Sequence, residues 1–460
     1  MNDALPTLSR TAGHGRPAAP VRIIHLGLGN FFRAHQAWYT EHAVDAHQWG
    51  IAAFSGRSST LADAMGPQDG LYTLLVRADD GDRPEVISSV SAVHAGTDLA
   101  AWLDYWRSAD LAIVTLTVTE AGYLRGADGG IDLADASVSA DRAAIAAGDL
   151  EAVRTAPGKL LAGMIARRDG GADHGPVAIL SCDNLPDNGG VAARVSRALA
   201  EAVDPALADL VNQHSFVTAM VDRITPRITD AEVTAVAEQT GISDAAPVVT
   251  EPFTEWVIAG TFPAGRPQWD ATFVDDVEPF ERRKLWLLNG SHTLMAYAAP
   301  ARGHQVISEA ITDPLVRGWV DQWWDEAARH LSVPESDIVA YRAALVSRFE
   351  NRQIRHLLAQ IAADGSQKVP VRLLPTLRAE RAAGREGRGA ARGIAAWIRH
   401  LQGHTTPVTD AGAQPFVEAA TSGTGTQAVA AVLRLLDADL AADATLVTLV
   451  GDLVAELERG

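Results

Sequence analysis

The sequence is poor in cysteine and carries no excess of positive charge. Cys182 is the one cysteine among 460 residues, so an intrachain disulfide is impossible and a cysteine-rich metal site is excluded. The formal net charge of -18 argues against nucleic acid or an anionic membrane as a partner, because either partner requires a basic surface. The charge alone identifies no substrate.

Long apolar runs are also missing. No window of about 18 residues is free of polar side chains, and residues 1–20 are rich in Pro, Gly, Ala and Thr without the apolar core of a secretion signal. We therefore expect a cytoplasmic protein whose residues 1–20 form a flexible tail. With 47% hydrophobic residues, the chain can bury a large core, and its length favours two domains over one.

The first half of the chain alternates strand and helix patterns. Short β-rich runs are predicted at residues 21–26, 50–54, 72–76, 86–93, 111–118 and 177–181. The first run ends in a glycine turn and is followed by a helical pattern. This order is typical of an α/β fold with a doubly wound, Rossmann-type sheet, which we expect over residues 21–276.

Strand signals fade beyond residue 277. Helical patterns follow at residues 280–298, 314–331, 337–349, 354–363 and 390–401. We therefore expect a second, mainly α-helical domain over residues 277–460.

The glycine turn Gly27-Leu-Gly29 is a candidate nucleotide site. Two glycines allow a tight turn and let a pyrophosphate approach backbone N–H groups. The third glycine of the usual pattern is replaced by Phe32. A turn without any ligand is the alternative.

The residue after the second strand normally selects the cofactor. An acid there hydrogen-bonds the ribose of NAD, whereas an arginine accommodates the 2′-phosphate of NADP. Here the chain reads Ser55-Gly-Arg57-Ser-Ser, without an acid. Arg57 could receive that phosphate or face solvent, so NAD and NADP both stay open.

The segment Lys284-Leu-Trp-Leu-Leu-Asn289-Gly-Ser-His292 places three polar side chains in an apolar helical pattern. In an α-helix, Asn289 and His292 lie about 140° and about 80° from Lys284, so all three can line one pocket. Loss of solvation there would lower the pKa of Lys284 and suit it to act as a general base. A surface helix with an extended lysine is the alternative.

Two further segments carry candidate polar groups. Asn184 follows the predicted strand 177–181, at the edge of the sheet where ligands bind in open α/β folds. Its amide could donate to a developing alkoxide or form a turn. Asp222 precedes Arg223, which indicates either a structural ion pair or an acceptor for a sugar hydroxyl.

Zinc-type Cys/His spacing and a Gly-x-Ser-x-Gly elbow are both missing, which disfavours a zinc alcohol dehydrogenase and a serine hydrolase.

Taken together, these segments resemble the mannitol dehydrogenase family of polyol-specific long-chain dehydrogenases. Seven segments carry the resemblance in this order: residues 27–36, 69–74, 117–123, 181–184, 220–226, 262–267 and 284–292. The resemblance implies a Rossmann-type domain, a helical domain and a substrate cleft between them. It also implies metal-independent hydride transfer with NAD, and a monomer.

The resemblance further implies individual roles. Lys284 would be the general base, Asn184 and Asn289 would stabilise the oxyanion, and His292 would hold a substrate hydroxyl. Asp222 and Lys368 match positions that contact the polyol. The residues expected to bind the cofactor are Gly27, Gly29, Asn30, Phe31, Arg57 and Asp69.

Substrate choice depends on residues 360–372. Mannitol 2-dehydrogenases tend to carry arginine where Gln360 stands, so this run looks more like the hexuronate reductases. A carboxylate substrate needs a cation, which Lys368 or Arg372 could supply; an exposed Arg372 is the alternative. We therefore favour mannonate and fructuronate over mannitol and fructose. Arabinitol and xylulose, a phosphopolyol, and a non-catalytic dinucleotide sensor stay open.

Overall fold

The chain is divided into two compact units. The structure, a computed structural model, describes residues 5–56, 58–126, 129–171, 174–423 and 425–458. Internal contacts separate Met1–Glu278 from Pro279–Gly460. Within the described residues, no helix is long and apolar enough to cross a membrane.

The first unit is built around a mainly parallel sheet. Its strands are β1 (Val21–Leu26), β2 (Gly50–Phe54), β3 (Tyr72–Ala78), β4 (Gly81–Ile87), β5 (Val90–His94), β6 (Ile113–Leu116), β7 (Ala178–Ser181), β8 (Ser215–Asp222), β9 (Val248–Thr250), β10 (Glu255–Ala259) and β11 (Thr272–Phe273). Among the described residues, eight strands form the larger sheet in the order β11-β10-β8-β7-β6-β1-β2-β5. β10 runs antiparallel to β8, and the other neighbours are parallel.

Helices cover this sheet and bury its central strands. They are α1 (Asn30–Ala34), α2 (Gln36–Glu41), α3 (Thr60–Met65), α4 (Leu99–Trp106), α5 (Ala136–Ala146), α6 (Ala156–Gly170), α7 (Asn188–Val203), α8 (Ala206–Gln213) and α9 (Asp230–Thr240). Ile23, Ile24 and Ile51 are at most 1% exposed, as expected for parallel strands with apolar layers on both faces. The expected Rossmann-type α/β fold is confirmed.

The order of the strands reverses between β1 and β6. From β1 the chain continues outward through β2 and β5, and it then returns to β6 on the other side of β1. In open α/β sheets, ligands bind at the carboxyl ends of the strands at such a reversal. Gly27 directly follows β1 and therefore lies at this point.

The single strand predicted at residues 86–93 is wrong, because the segment contains parts of two strands in different sheets. Its first residues belong to β4, which pairs with β3 in the smaller sheet β4-β3-β9, and its last residues belong to β5, which pairs with β2. The break falls at two buried serines that bind elsewhere. Ser88 N donates to Glu41 Oε2 at 2.8 Å, and Ser89 Oγ donates to the Ala37 carbonyl at 2.7 Å.

The N-terminal segment also departs from the expectation of a flexible tail. In residues 5–20, Leu8 is fully buried and Thr7 forms a β-bridge with Ser243. The Arg10 guanidinium donates to the carbonyls of Ser88 and Val90, each at 2.9 Å. These long-range contacts hold the segment on the first unit, which its Pro- and Gly-rich composition did not indicate.

The second unit is helical, as expected. Its helices are α10 (Glu278–Arg283), a π-helix (Lys284–Gly290), α11 (Ser291–Ala298), α12 (Ile307–Thr312), α13 (Pro314–Ala328), α14 (Glu335–Glu350), α15 (Leu358–Ile361), α16 (Gly365–Arg372), α17 (Leu374–Ala382), α18 (Arg388–Leu401), α19 (Gln414–Thr421), α20 (Thr426–Leu436), α21 (Ala438–Ala442) and α22 (Ala444–Glu458). Residues 389–401 of α18 are all buried, because α11, α13 and α22 pack around this helix. The helix predicted at residues 354–363 is reduced to α15.

The role of the N-terminal segment can be tested with Arg10→Ala. Loss of the charged donor leaves the Ser88 and Val90 carbonyls without these bonds, so the free energy of unfolding should fall by about 1–3 kcal/mol. Urea unfolding followed by circular dichroism measures the change. Arg83→Ala is the control, because Arg83 makes an exposed ion pair with Asp80 that contributes at most about 1 kcal/mol. Equal stability of both variants would contradict an ordered N-terminal segment.

Candidate functional site

The turn after β1 requires glycine at one of its two glycine positions. Gly27 has φ +116°, and a Cβ there would lie 2.2 Å from the Thr117 carbonyl oxygen. The N–H groups of Gly27 and Leu28 both donate to the Phe54 carbonyl, at 3.0 and 2.9 Å. At Gly29 the nearest atom to an added Cβ is 3.4 Å away. Gly27 therefore forms the turn, whereas Gly29 leaves space above it.

Phe32, which stands where the usual pattern has its third glycine, packs against a histidine of β1. Its ring stacks on His25 of β1, with centroids 3.6 Å apart and an interplanar angle of 9°. The His25 ring is held between Thr115 Oγ1 at 2.8 Å and Thr117 Oγ1 at 3.0 Å. Burial lowers the pKa of His25 to about 3, so the ring is neutral. A stacked pair thus fills the space that a third glycine would leave between strand and helix.

The other residues expected to bind the cofactor have different surroundings. Asn30 Oδ1 accepts a hydrogen bond from Arg33 at 2.7 Å, and Phe31 stacks on His35 with centroids 5.2 Å apart. Asp69 is bound by the N-terminal segment, since its carboxylate accepts from Arg10 N at 2.9 Å. This contact is structural, and a contact between Asp69 and the cofactor stays a prediction. Arg57 lies outside the described residues.

Asn184 lies in a loop that is anchored at the end of β7. The neighbouring Asp183 carboxylate accepts hydrogen bonds from Tyr123 Oη, Ser181 Oγ and the Val118 N–H. Asn188 Nδ2 donates to the Asp183 carbonyl at 2.8 Å. Burial raises the pKa of Asp183, although its three donors oppose this shift. This network fixes the loop while the side chain of Asn184 stays exposed.

Sequence reasoning did not identify this anchoring network. Asp183 directly precedes Asn184 in the chain, so its adjacency to a candidate site residue was the available signal. Tyr123 belongs to another of the seven segments, and only the tertiary structure brings its hydroxyl to Asp183.

Asp222 lies at the end of β8, opposite Glu255 of β10, and is 3% exposed. Its neighbour Arg223 donates from Nε to the Glu251 carbonyl at 3.2 Å and covers the ring of Trp38 at 4.7 Å. Arg223 therefore has a structural role. A contact between Asp222 and a sugar hydroxyl stays a prediction.

The segment from Lys284 is a helix of a different kind from that expected. Residues 284–290 form a π-helix between α10 and α11, so the α-helical spacing of 100° per residue does not apply there. A π-helix pairs residues five apart, which is the spacing of Lys284 and Asn289. His292 follows in α11. π-Helical turns occur frequently at functional sites.

His292 is a buried imidazole, and one of its ring nitrogens has no hydrogen-bond partner among the described residues. It is 7% exposed, and its ring lies 4.9 Å from that of His356 and 5.1 Å from that of Phe349. Burial lowers the pKa of His292 well below its usual range, and the nearby His356, Arg372 and Arg348 add to this effect. Among the described residues, its Nε2 has no hydrogen-bond partner. A neutral imidazole of this kind can hold a hydroxyl group.

Arg372 of α16 lies next to Asn289 of the π-helix. Its guanidinium donates to Thr293 Oγ1 at 3.2 Å and reaches the Asn289 carbonyl at 3.5 Å. Burial lowers the pKa of Arg372 to about 10, so the group is still charged at neutral pH. The alternative of an ordinary exposed arginine is therefore wrong.

Lys368 lies on the same helix, α16. Its Nζ donates to the Ala363 carbonyl at 2.6 Å and to the Ile361 carbonyl at 3.2 Å. Burial and, next, Arg372 lower its pKa. An ammonium group has three N–H donors, so two carbonyls leave one for a ligand. Gln360, in contrast, is an exposed residue of α15.

The mainly parallel sheet, with a glycine turn where its strand order reverses, places the first unit among Rossmann-type dinucleotide-binding folds. The model of the mannitol dehydrogenase Rossmann domain matches residues 21–271, and that of the mannitol dehydrogenase C-terminal domain matches residues 276–458. The chain belongs to the mannitol dehydrogenase family.

Individual relatives agree with this assignment. D-mannonate oxidoreductase of Escherichia coli K12 is 37% identical over 417 residues, which are 88% of this chain and 84% of the relative. The ternary complex of Pseudomonas fluorescens mannitol 2-dehydrogenase with NAD and D-mannitol is 33% identical, with TM-score 0.76, and covers 96% of this chain and 91% of that one. Substrate-free D-sorbitol dehydrogenase is 26% identical, with TM-score 0.87, and covers 99% of this chain and 98% of that one.

The two glycines should respond differently to substitution. Gly27→Ala adds a Cβ to a residue at φ +116° against the Thr117 carbonyl, so the free energy of unfolding should fall by about 1–3 kcal/mol. Gly29→Ala is the matched control and should change it by less than about 0.5 kcal/mol. Urea unfolding of both variants measures the difference. Equal losses would show that the turn does not depend on Gly27.

Proposed function

We propose that the protein transfers a hydride reversibly between NAD and a secondary alcohol of an acyclic polyol or aldonate, giving the matching ketose or ketouronate. One observation carries the proposal within this family. A π-helix holds Lys284 and Asn289 at its own pairing distance of five residues. The neutral His292, whose Nε2 has no hydrogen-bond partner among the described residues, follows in the same segment. These groups supply a base, an amide donor and a hydroxyl contact.

The residues around the glycine turn fit a dinucleotide. Gly29 leaves space where a pyrophosphate would approach, and the turn lies at the reversal of the sheet. Gly27, Gly29, Asn30 and Phe31 would hold the cofactor, which supplies the hydride acceptor when it is bound. NAD is preferred because the Pseudomonas relative was solved with NAD. NADP is the alternative, since Arg57 stands where an acid would favour NAD.

The proton follows a separate path from the hydride. Lys284 in its neutral form would accept the proton of the substrate hydroxyl while the carbinol carbon, on losing its hydride to the bound dinucleotide, would become a carbonyl. Amide N–H groups of Asn184 and Asn289 stabilise the negative charge that develops on oxygen. His292 holds a neighbouring hydroxyl, and Asp222 and Lys368 contact the rest of the polyol.

The favoured substrate pair is mannonate and fructuronate. The partly buried guanidinium of Arg372 next to Asn289 offers a cation for a carboxylate, and Lys368 lies on the same helix. The Escherichia coli relative is a D-mannonate oxidoreductase. Mannitol and fructose are the alternative, because the Pseudomonas structure contains D-mannitol. Arabinitol and xylulose follow.

Lys284→Ala tests the assigned base. Turnover should fall by about 10²–10⁴-fold, the usual contribution of a general base, while NAD binding is retained. Absorbance of NADH and NADPH with fructuronate, tagaturonate, fructose and xylulose measures turnover, and a fluorescence titration measures cofactor binding. Unchanged turnover in the variant would refute the role of Lys284. Cofactor binding by the wild-type protein without turnover of any compound in the panel would support a dinucleotide sensor.

Arg372→Gln tests the substrate class. If Arg372 binds the carboxylate, kcat/KM for fructuronate should fall at least about tenfold more than kcat/KM for fructose, because only fructuronate loses an ionic hydrogen bond. Loss of the contact with Asn289 affects both substrates and cancels in the ratio. Arg372→Lys should restore part of the preference. Equal losses for both substrates would contradict a carboxylate contact at Arg372.

A further inference from the structure

The π-helix receives two hydrogen bonds from tryptophans of another helix. Trp323 Nε1 donates to the Trp286 carbonyl and Trp324 Nε1 donates to the Leu287 carbonyl, both at 2.9 Å. Both donors lie on α13, and their side chains are at most 1% exposed. Adjacent indoles on one helix thus bind adjacent carbonyls of the other.

These bonds meet a need that a π-helix creates. The backbone pairing changes from four residues to five and back at the ends of this segment, so its carbonyls depend on well-placed partners. Trp286 and Leu287 are 7% and 0% exposed, and a buried carbonyl without a partner is unfavourable. Ser291 Oγ also donates to the Leu287 carbonyl, at 2.6 Å. Side-chain donors from α13 and from Ser291 therefore bind two adjacent buried carbonyls of the π-helix.

Gly290 makes the approach of Trp323 possible. A Cβ at Gly290 would lie 2.6 Å from Cζ2 and 2.9 Å from Nε1 of Trp323. Gly290 has ordinary right-handed helical angles, φ -64° and ψ -43°, so its backbone does not require glycine. The absence of a side chain is needed for the indole.

The second tryptophan connects the π-helix to His292. Trp324 and Phe349 have ring centroids 6.4 Å apart, and Phe349 and His292 have centroids 5.1 Å apart. The packed series Trp324, Phe349 and His292 therefore holds the other end of the polar segment.

We propose that Trp323 is a positioning residue of the active site, which fixes the π-helix, together with Gly290 and Trp324, so that Lys284 and Asn289 point correctly. The proposal rests on the proposed function of Lys284. Conversion of the π-helix to a regular α-helix would shift the backbone register by one residue, which corresponds to about 100° of rotation. The angle between Lys284 and Asn289 around the helix axis would then change.

Trp323→Phe removes the N–H and keeps an aromatic ring beside Gly290. We expect kcat to fall about 10- to 100-fold with a smaller change in KM, because a displacement of about 1 Å is enough for such a loss. The pH profile of kcat should also shift, since it reports the ionisation of the base. Trp319→Phe on the same helix is the matched control and should leave kcat unchanged; Trp319 is also buried, and Arg392 covers its ring at 5.5 Å.

Hydrogen exchange gives a readout that needs no activity. Amides of residues 284–291 should exchange at least about tenfold faster in Trp323→Phe than in Trp319→Phe, because the π-helix opens more easily without its donor. Gly290→Ala and Trp324→Phe should have the same local effect, and they serve if Trp323→Phe does not fold.

The outcomes separate this proposal from the proposed function. Exchange of residues 284–291 that is equal in the Trp323, Trp324 and Trp319 variants would overturn the positioning role, whatever the protein catalyses. Unchanged kcat in Trp323→Phe, with an active wild-type protein, would overturn it as well. Faster local exchange in a protein without any turnover would instead leave the π-helix assignment intact and refute the proposed function.

Discussion

The candidate active site depends on how buried backbone carbonyls of the π-helix are satisfied. Two indole N–H groups of α13 donate to adjacent carbonyls of the π-helix and hold it against that helix. Gly290 admits one of these indoles. The spacing of Lys284 and Asn289 is therefore a property of the whole second unit, set by helix packing as well as by the segment itself.

The first unit meets a comparable constraint with a glycine turn. Gly27 adopts a conformation that other residues avoid, under the Thr117 carbonyl, and this turn lies where the strand order reverses. The stacked pair of His25 and Phe32 supports the strand and helix on either side. A departure from the usual glycine pattern is thus compensated by packing, and the backbone that would face a pyrophosphate is preserved.

Much of the fold could be predicted from the sequence, and the site in part. The period of apolar residues indicated the Rossmann-type sheet and the helical unit, and the polar groups of residues 284–292 were visible in an apolar pattern. The π-helix was not predictable, because its donors stand on α13, more than thirty residues later. The break between β4 and β5 and the contacts of Arg372 likewise depend on partners distant in sequence.

In the proposed site, the π-helix directs Lys284 at the reacting hydroxyl. A crystal structure of the protein with NAD and the best substrate of the panel would give the distance from Lys284 Nζ to the oxygen on the carbinol carbon. We predict about 2.6–3.2 Å, with the π-helix retained at residues 284–290, since a general base must reach the proton it removes. A regular α-helix at residues 284–290, or a Lys284 turned away from that oxygen, would show that the π-helix does not position the base.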